Sequence, residues 1–129
     1  MKYSYSKDIE SGFEDTEHKI CEALMDVGFG VLTEINMKDA FKEKLNLEYK
    51  NYKILGACNP TLAHKALESE SLIGILMPCN ILLIDNENQS TKIVFPFEMQ
   101  AAMIEFSVAP TLIFENLIFA PLSLPFEIA

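Results

Sequence analysis

The chain has no arginine. Ten lysines face nineteen acidic residues, which leaves a formal charge of −9 over 129 residues. Without guanidinium the planar, two-pronged phosphate reader is missing, and the excess charge repels polyanions. Nucleic acid and anionic lipid are therefore argued against as partners, and the surplus of Glu and Asp reads as a solvated surface. The three cysteines, Cys21, Cys58 and Cys79, are an odd number, so they cannot close a disulfide framework. No apolar stretch of the signal-peptide kind follows Met1-Lys2-Tyr3-Ser4. These two absences together predict a cytoplasmic protein in a reducing compartment. A membrane-crossing run is missing too. Such a run needs about 20 apolar residues, and the most hydrophobic region is broken by Pro110, Glu115, Asn116, Pro121 and Pro125. No linker, repeat or low-complexity stretch divides the chain, so a single domain is expected over residues 1–129.

What is present suffices for a core. Half of the residues are apolar, and a chain of this size buries roughly two thirds of its unfolded surface. The patterning predicts an α+β domain. Tyr3, Tyr5 and Lys7 alternate with Ser4, Ser6 and Asp8 in a first strand. Ser11-Gly12-Phe13-Glu14 reads as a capping box, opening a helix with Phe13, Ile20, Leu24 and Val27 on one face and Gly28 as its left-handed cap. A second strand runs from Phe29 to Ile35, and Asn36 caps a short helix over Met37 to Leu45. A third strand covers Tyr52 to Cys58. Asn59-Pro60 then starts a helix, because Asn accepts from the open amides and Pro fits the first turn. This helix carries Leu62, Ala63, Ala66 and Leu67 and ends near Glu70. Ile73 to Met77 and Cys79 to Ile84 read as one or two strands about Pro78. A polar turn from Asp85 to Ser90 leads to a hairpin partner, Thr91 to Phe95. Pro96 is expected to open a helix to about Glu105, with Phe97, Ala101 and Ile104 inward.

Segment 106–129 differs in kind, with Leu112-Ile113-Phe114 and Leu117-Ile118-Phe119-Ala120 apolar on every helical face. Surface of that extent invites association, and a homodimer is the favoured expectation.

Chemistry is concentrated in two segments that echo each other, Gly56-Ala57-Cys58-Asn59-Pro60 and Met77-Pro78-Cys79-Asn80. Cys58 ends a strand beside a helix start, where backbone dipoles favour a thiolate. His64 lies in the second turn of that helix. If the strands pair, Cys58, His64 and Cys79 have three uses. They are candidate ligands of a soft metal such as zinc or copper(I). Cys58 and Cys79 are candidates for a reversible disulfide, and Cys58 with His64 for a nucleophile and its base. Each use competes with burial of cysteine as a small apolar residue. The spacing contains no CxxC and no HxxxH, and it matches no zinc signature. Gly28-Phe29-Gly30 enters a strand and is no dinucleotide fingerprint, and a P-loop is lacking. The acidic runs Glu14-Asp15-Glu17 and Glu68-Glu70 look solvated.

Several blocks in order resemble the domain of unknown function 302 family. They are Gly28-Phe29-Gly30-Val31-Leu32-Thr33-Glu34-Ile35, Lys42-Glu43-Lys44-Leu45, Tyr52 through Pro60, Ala63-His64, Ile73-Gly74 and Met77-Pro78-Cys79-Asn80. The resemblance covers roughly residues 1 to 111. It implies an antiparallel sheet with helices packed on one face, in a topology similar to that of the TATA-binding protein, and it implies a homodimer. It carries no activity. The family's Cys-Asn-Pro, Ala-His and Pro-Cys-Asn fall on Cys58, Asn59, Pro60, His64, Pro78, Cys79 and Asn80. After Pro110 the chain departs from the family's charged closing helix.

The functional expectation is a non-enzymatic, homodimeric module that binds a small ligand or a protein partner around Cys58, Asn59, His64, Cys79 and Asn80. The alternative is a thiol redox or soft-metal protein using Cys58, Cys79 and His64. No residue is assigned a catalytic role and no cofactor is named.

Overall fold

A computed structural model describes residues 4–96. The order is β1 (Ser4–Ile9), α1 (Phe13–Asp26), β2 (Gly30–Asn36), α2 (Met37–Leu45), β3 (Tyr52–Cys58), α3 (Pro60–Ser69), a 3₁₀ helix (Ser71–Leu76), β4 (Cys79–Asp85) and β5 (Thr91–Pro96). The strands form one sheet in the order β1-β5-β4-β3-β2, with every adjacent pair antiparallel. The α+β class and the antiparallel sheet are as expected from the sequence.

The pleat divides the sheet into two faces, since alternate side chains point opposite ways. Leu55 and Ala57 of β3, Ile81 and Leu83 of β4, and Ile93 and Phe95 of β5 are buried on one face. The register places Leu55 opposite Ile81 and Leu83 opposite Ile93, so these residues share that face. Against it α1 lays Ile20, Ala23 and Leu24, with Val27 just after its end, all buried. Burying each of the larger of these side chains, Leu, Ile, Val or Phe, contributes about 1.5–3 kcal/mol. Across the other face Ile35, Ile54, Leu82 and Val94 stand in one row through successive register pairs on four strands. These residues are only half-buried or, for Ile35, 50% exposed.

Local signals place most boundaries. Asn36 Oδ1 accepts from the Asp39 amide at 3.2 Å, and Asn59 Oδ1 from the Leu62 amide at 3.1 Å, so both asparagines cap as expected. Gly28 sits at φ +86° just beyond the end of α1. Its amide donates to Met25 O, and that of Phe29 to Leu24 O, which is the paired bonding that ends a helix in a left-handed residue.

Two expectations are corrected. The capping box does not form, because Ser11 falls one residue too early. Its amide is held by Ile9 O and its carbonyl accepts from Thr91 Oγ1 at 3.1 Å. The cap is Gly12, without a side-chain bond, and Glu14 and Asp15 supply negative charge to the first turn. Ile73 to Met77 is not a strand, because Ser71–Leu76 winds as a 3₁₀ helix. Glu70 opens it by accepting from the Leu72 amide at 3.0 Å. At three residues per turn Ile73 and Leu76 stack on one side and Leu72 and Ile75 on the other, and a short apolar run does not distinguish this from a strand. Pro96 is the last residue of β5. The helix expected after it, and segment 106–129, lie outside the described residues.

Candidate functional site

Between β3 and β4 the chain makes an excursion through α3 and the 3₁₀ helix, and that excursion walls a cavity. Two features of the sequence shape it. Gly56 is buried, and a Cβ there would meet Thr33 Oγ1 and, at 2.7 Å, Pro78 Cγ. Glycine therefore lets Pro78 settle on the sheet. Asn59, fixed by its cap bond, turns the chain from β3 directly into α3.

The cavity measures about 520 Å³, within the range of roughly 300–1,000 Å³ typical of small-molecule sites. Its walls come from α3 (Leu62, Ala63, Ala66), the 3₁₀ helix and the residues after it (Ile73, Leu76, Met77, Pro78), and the sheet (Leu82, Val94, Pro96). Cys58, Asn59, Cys79 and Asn80 also line it, together with Ser4, Phe29 and Ala57. Among the described residues no Asp, Glu, Lys or His belongs to this lining.

Four of the five residues singled out by sequence thus reach one cavity, and His64 does not. Its side chain is 77% exposed on the outer side of α3, 3.5 Å from Glu68 Oε1. The two thiols are neighbours in the backbone but not in orientation. Cys79 pairs across the ladder with Ala57, one residue before Cys58. The pleat therefore turns Cys79 with Ala57 toward the core and Cys58 toward the other face. Cys79 accordingly packs against the core cluster, and none of the three cysteines is in a disulfide. Among the described residues no group of three or more His, Cys, Asp or Glu side chains stands together as a metal site. Sequence reasoning noticed Leu62, Ala63 and Ala66 only as a helix face. It missed Leu82 and Val94, whose signal was apolar residues on both faces of a strand.

A second, charged cluster lies away from the cavity. Lys53 Nζ is 2.8 Å from Glu17 Oε2 and 2.8 Å from Glu34 Oε1, with the lysine side chain 18% exposed. Burial pulls the lysine down, yet the hydrogen bonds and charges of Glu17 and Glu34 outweigh it and hold the ammonium above its usual range. Nearby, burial pushes the Cys21 thiol up. The Glu17 and Glu34 carboxylates add to this shift and Lys53 partly opposes it. The thiol is therefore less nucleophilic than an ordinary one.

The sequence matches the model of Domain of unknown function DUF302 over residues 5–110. The chain belongs to the DUF302 family. A crystal structure of an uncharacterized conserved DUF302 protein from Bacillus stearothermophilus is similar, at 28% identity and a TM-score of 0.68, covering 90% of this chain and 88% of that one. No curated protein matches. The family match reaches beyond Pro96, so the described sheet is part of the DUF302 unit. Among the described residues no helix is long and apolar enough to cross a membrane.

Proposed function

We propose that this DUF302 chain is a non-enzymatic binding module that holds a small molecule in the cavity bounded by α3, the 3₁₀ helix and the ends of β3 and β4. The observation that carries this reading is the cavity itself, about 520 Å³ of largely apolar space with Cys58, Asn59, Cys79 and Asn80 in its wall. Binding is favoured over catalysis because the lining, among the described residues, holds no carboxylate, imidazole or amine to move a proton. A redox pair gains no support from thiols turned to opposite faces. The test is a thermal-shift panel of small molecules on the wild type and on Ala66→Leu, which fills the cavity from the α3 side. At least one compound should raise the wild-type midpoint by several degrees and leave the variant unmoved, since a ligand at 100 times its Kd stabilises by about 2.7 kcal/mol. A panel without any stabilising compound overturns the proposal.

The module acts as a cytoplasmic homodimer. Leu32, Ile35, Leu45 and Leu47 are exposed apolar residues outside the cavity lining that a second copy would cover. Sedimentation equilibrium is expected to return twice the 14.5 kDa chain mass; a single-chain mass across the micromolar range refutes dimerisation.

A further inference from the structure

We infer that the cavity selects an uncharged, largely apolar molecule bearing one hydrogen-bonding head group, such as an alcohol, amide or ester. This rests on the reading of the cavity as a ligand site and adds to it the class of ligand. Three observations carry it.

The first is charge. Among the described residues that line it, the thiols of Cys58 and Cys79 are the only ionisable groups. A buried carboxylate or ammonium needs an opposite charge or several hydrogen bonds to offset lost hydration, and this wall offers no counter-charge. For anions the chain's net charge of −9 adds long-range repulsion. The second is size. At about 30 Å³ for each non-hydrogen atom, roughly 17 such atoms fill 520 Å³. The third is where the polar atoms are. Asn80 stands opposite Gly56 across the ladder, and Asn59 follows three residues later, so both amides sit at the same end of β3. Asn59 Oδ1 is committed to the Leu62 amide. Asn80 is exposed, and its amide both donates and accepts. The opposite walls, Ala66, Ile73, Leu82 and Val94, are hydrocarbon. One neutral polar end beside Asn80 and one apolar body fit this distribution.

The experiment uses the full chain and N-phenyl-1-naphthylamine, an uncharged dye that brightens in apolar surroundings. Displacement is measured at pH 7.5 with decanol, decanoate and decyltrimethylammonium, which share a chain and differ in the head group. Decanol should displace the dye at a concentration at least tenfold below that needed for either ion. Asn80→Ala should weaken decanol about five- to tenfold and leave the dye's own binding unchanged. Ala66→Leu should weaken dye and decanol alike, with circular dichroism confirming that the variant folds. Leu76→Trp places a single tryptophan on the exposed rim of a chain that has none. Its emission should shift to the blue when decanol binds, which keeps the test open if Ala66→Leu does not fold. Equal or better displacement by decanoate or decyltrimethylammonium overturns the neutral class while leaving a ligand cavity standing. Failure of the dye and all three competitors to bind removes the ligand site as well. Dye binding that Ala66→Leu leaves intact, with no Leu76→Trp response, places the binding elsewhere and also overturns the inference.

Discussion

Gly56→Ala isolates the close approach on which the cavity wall depends. The added methyl meets two neighbours of different stiffness. Thr33 is exposed and lies opposite Gly56 in the ladder, so its hydroxyl can rotate away at a cost of about 1 kcal/mol or less. Pro78 Cγ, 2.7 Å from the new carbon, belongs to a closed ring and cannot rotate, so the ring and the chain carrying it must move. Overpacking of this kind costs about 1–3 kcal/mol. Removing glycine from the unfolded chain returns about 0.4–1 kcal/mol. The net loss is then about 1–2 kcal/mol, a midpoint decrease of roughly 3–10 °C for a domain of this size. Urea unfolding followed by far-ultraviolet circular dichroism gives the difference directly, with an unchanged slope showing that the unfolded state is not altered. Gly30→Ala is the control, because a Cβ there meets nothing within 4 Å and the residue is at a strand start. It should be neutral or slightly stabilising. If Gly56→Ala matches Gly30→Ala in urea midpoint, the close packing of Pro78 on the sheet is not rigid and the account of the cavity wall is wrong.

Lys53→Met should destabilise by about 1–3 kcal/mol in urea unfolding, because it leaves the largely buried Glu17 without its partner; an unchanged midpoint would show the cluster to be solvated. Its pH dependence has a definite sign. Lys53, Cys21 and Tyr5 are all held above their usual ranges, so the folded state keeps protons that the unfolded state gives up. Their contributions are complete below the unfolded values and are lost as pH rises from about 8.5 through the folded values. The hydrogen bond from Asn86, with Lys92 assisting, holds Asp8 below its usual range. Its contribution is present above about pH 4 and is lost as pH falls through the folded value. Stability measured by urea midpoint from pH 3 to 11 should therefore fall at both ends, with a shallower alkaline limb in Lys53→Met; identical alkaline limbs refute this assignment. Among the described residues Thr16 Oγ1 is buried without a hydrogen-bond partner. Thr16→Val should accordingly be neutral or raise the midpoint by up to about 1 kcal/mol, and a loss above 1 kcal/mol would reveal a bond that Thr16 makes in solution.

The fold was legible where one residue has one physical option. Asn59-Pro60 and Asn36 each combine a side-chain acceptor with a good first turn, and α3 and α2 begin there. Gly28 reads as a helix stop because only glycine enters its backbone region cheaply. The signal failed where two structures share a pattern. Ser-x-x-Glu is a capping box only if Ser is the cap, and the Thr91 hydroxyl that fixes Ser11 outside the helix comes from a strand 80 residues away. Ile73 to Met77 reads as a strand, yet Ser71–Leu76 winds as a 3₁₀ helix, opened by the Glu70 cap bond.

The site shows the limit of motif reasoning more sharply. The two echoing segments do come together, because β3 pairs with β4, and the sequence could suggest that much. What it could not give is the register, and side-chain orientation depends on register with a period of two. Had Cys79 paired with Cys58, both sulfurs would share a face and a dithiol site would be well founded. It pairs with Ala57 instead, and a shift of one residue turns Cys79 against the core and Cys58 to the other face, although both border the cavity. The chemistry of such a wall then lies less in the thiols than in what surrounds them: a glycine that admits Pro78, an asparagine that caps α3, and apolar residues contributed by α3, the 3₁₀ helix and the second face of the sheet. A reactive pair would demand the thiols alone, whereas a ligand site demands the whole lining. Cys58→Ala and Cys79→Ala should therefore leave decanol binding within about twofold, while a single methyl-to-isobutyl change at Ala66 weakens it well beyond that; the reverse ranking in the dye assay would return the function to the cysteines.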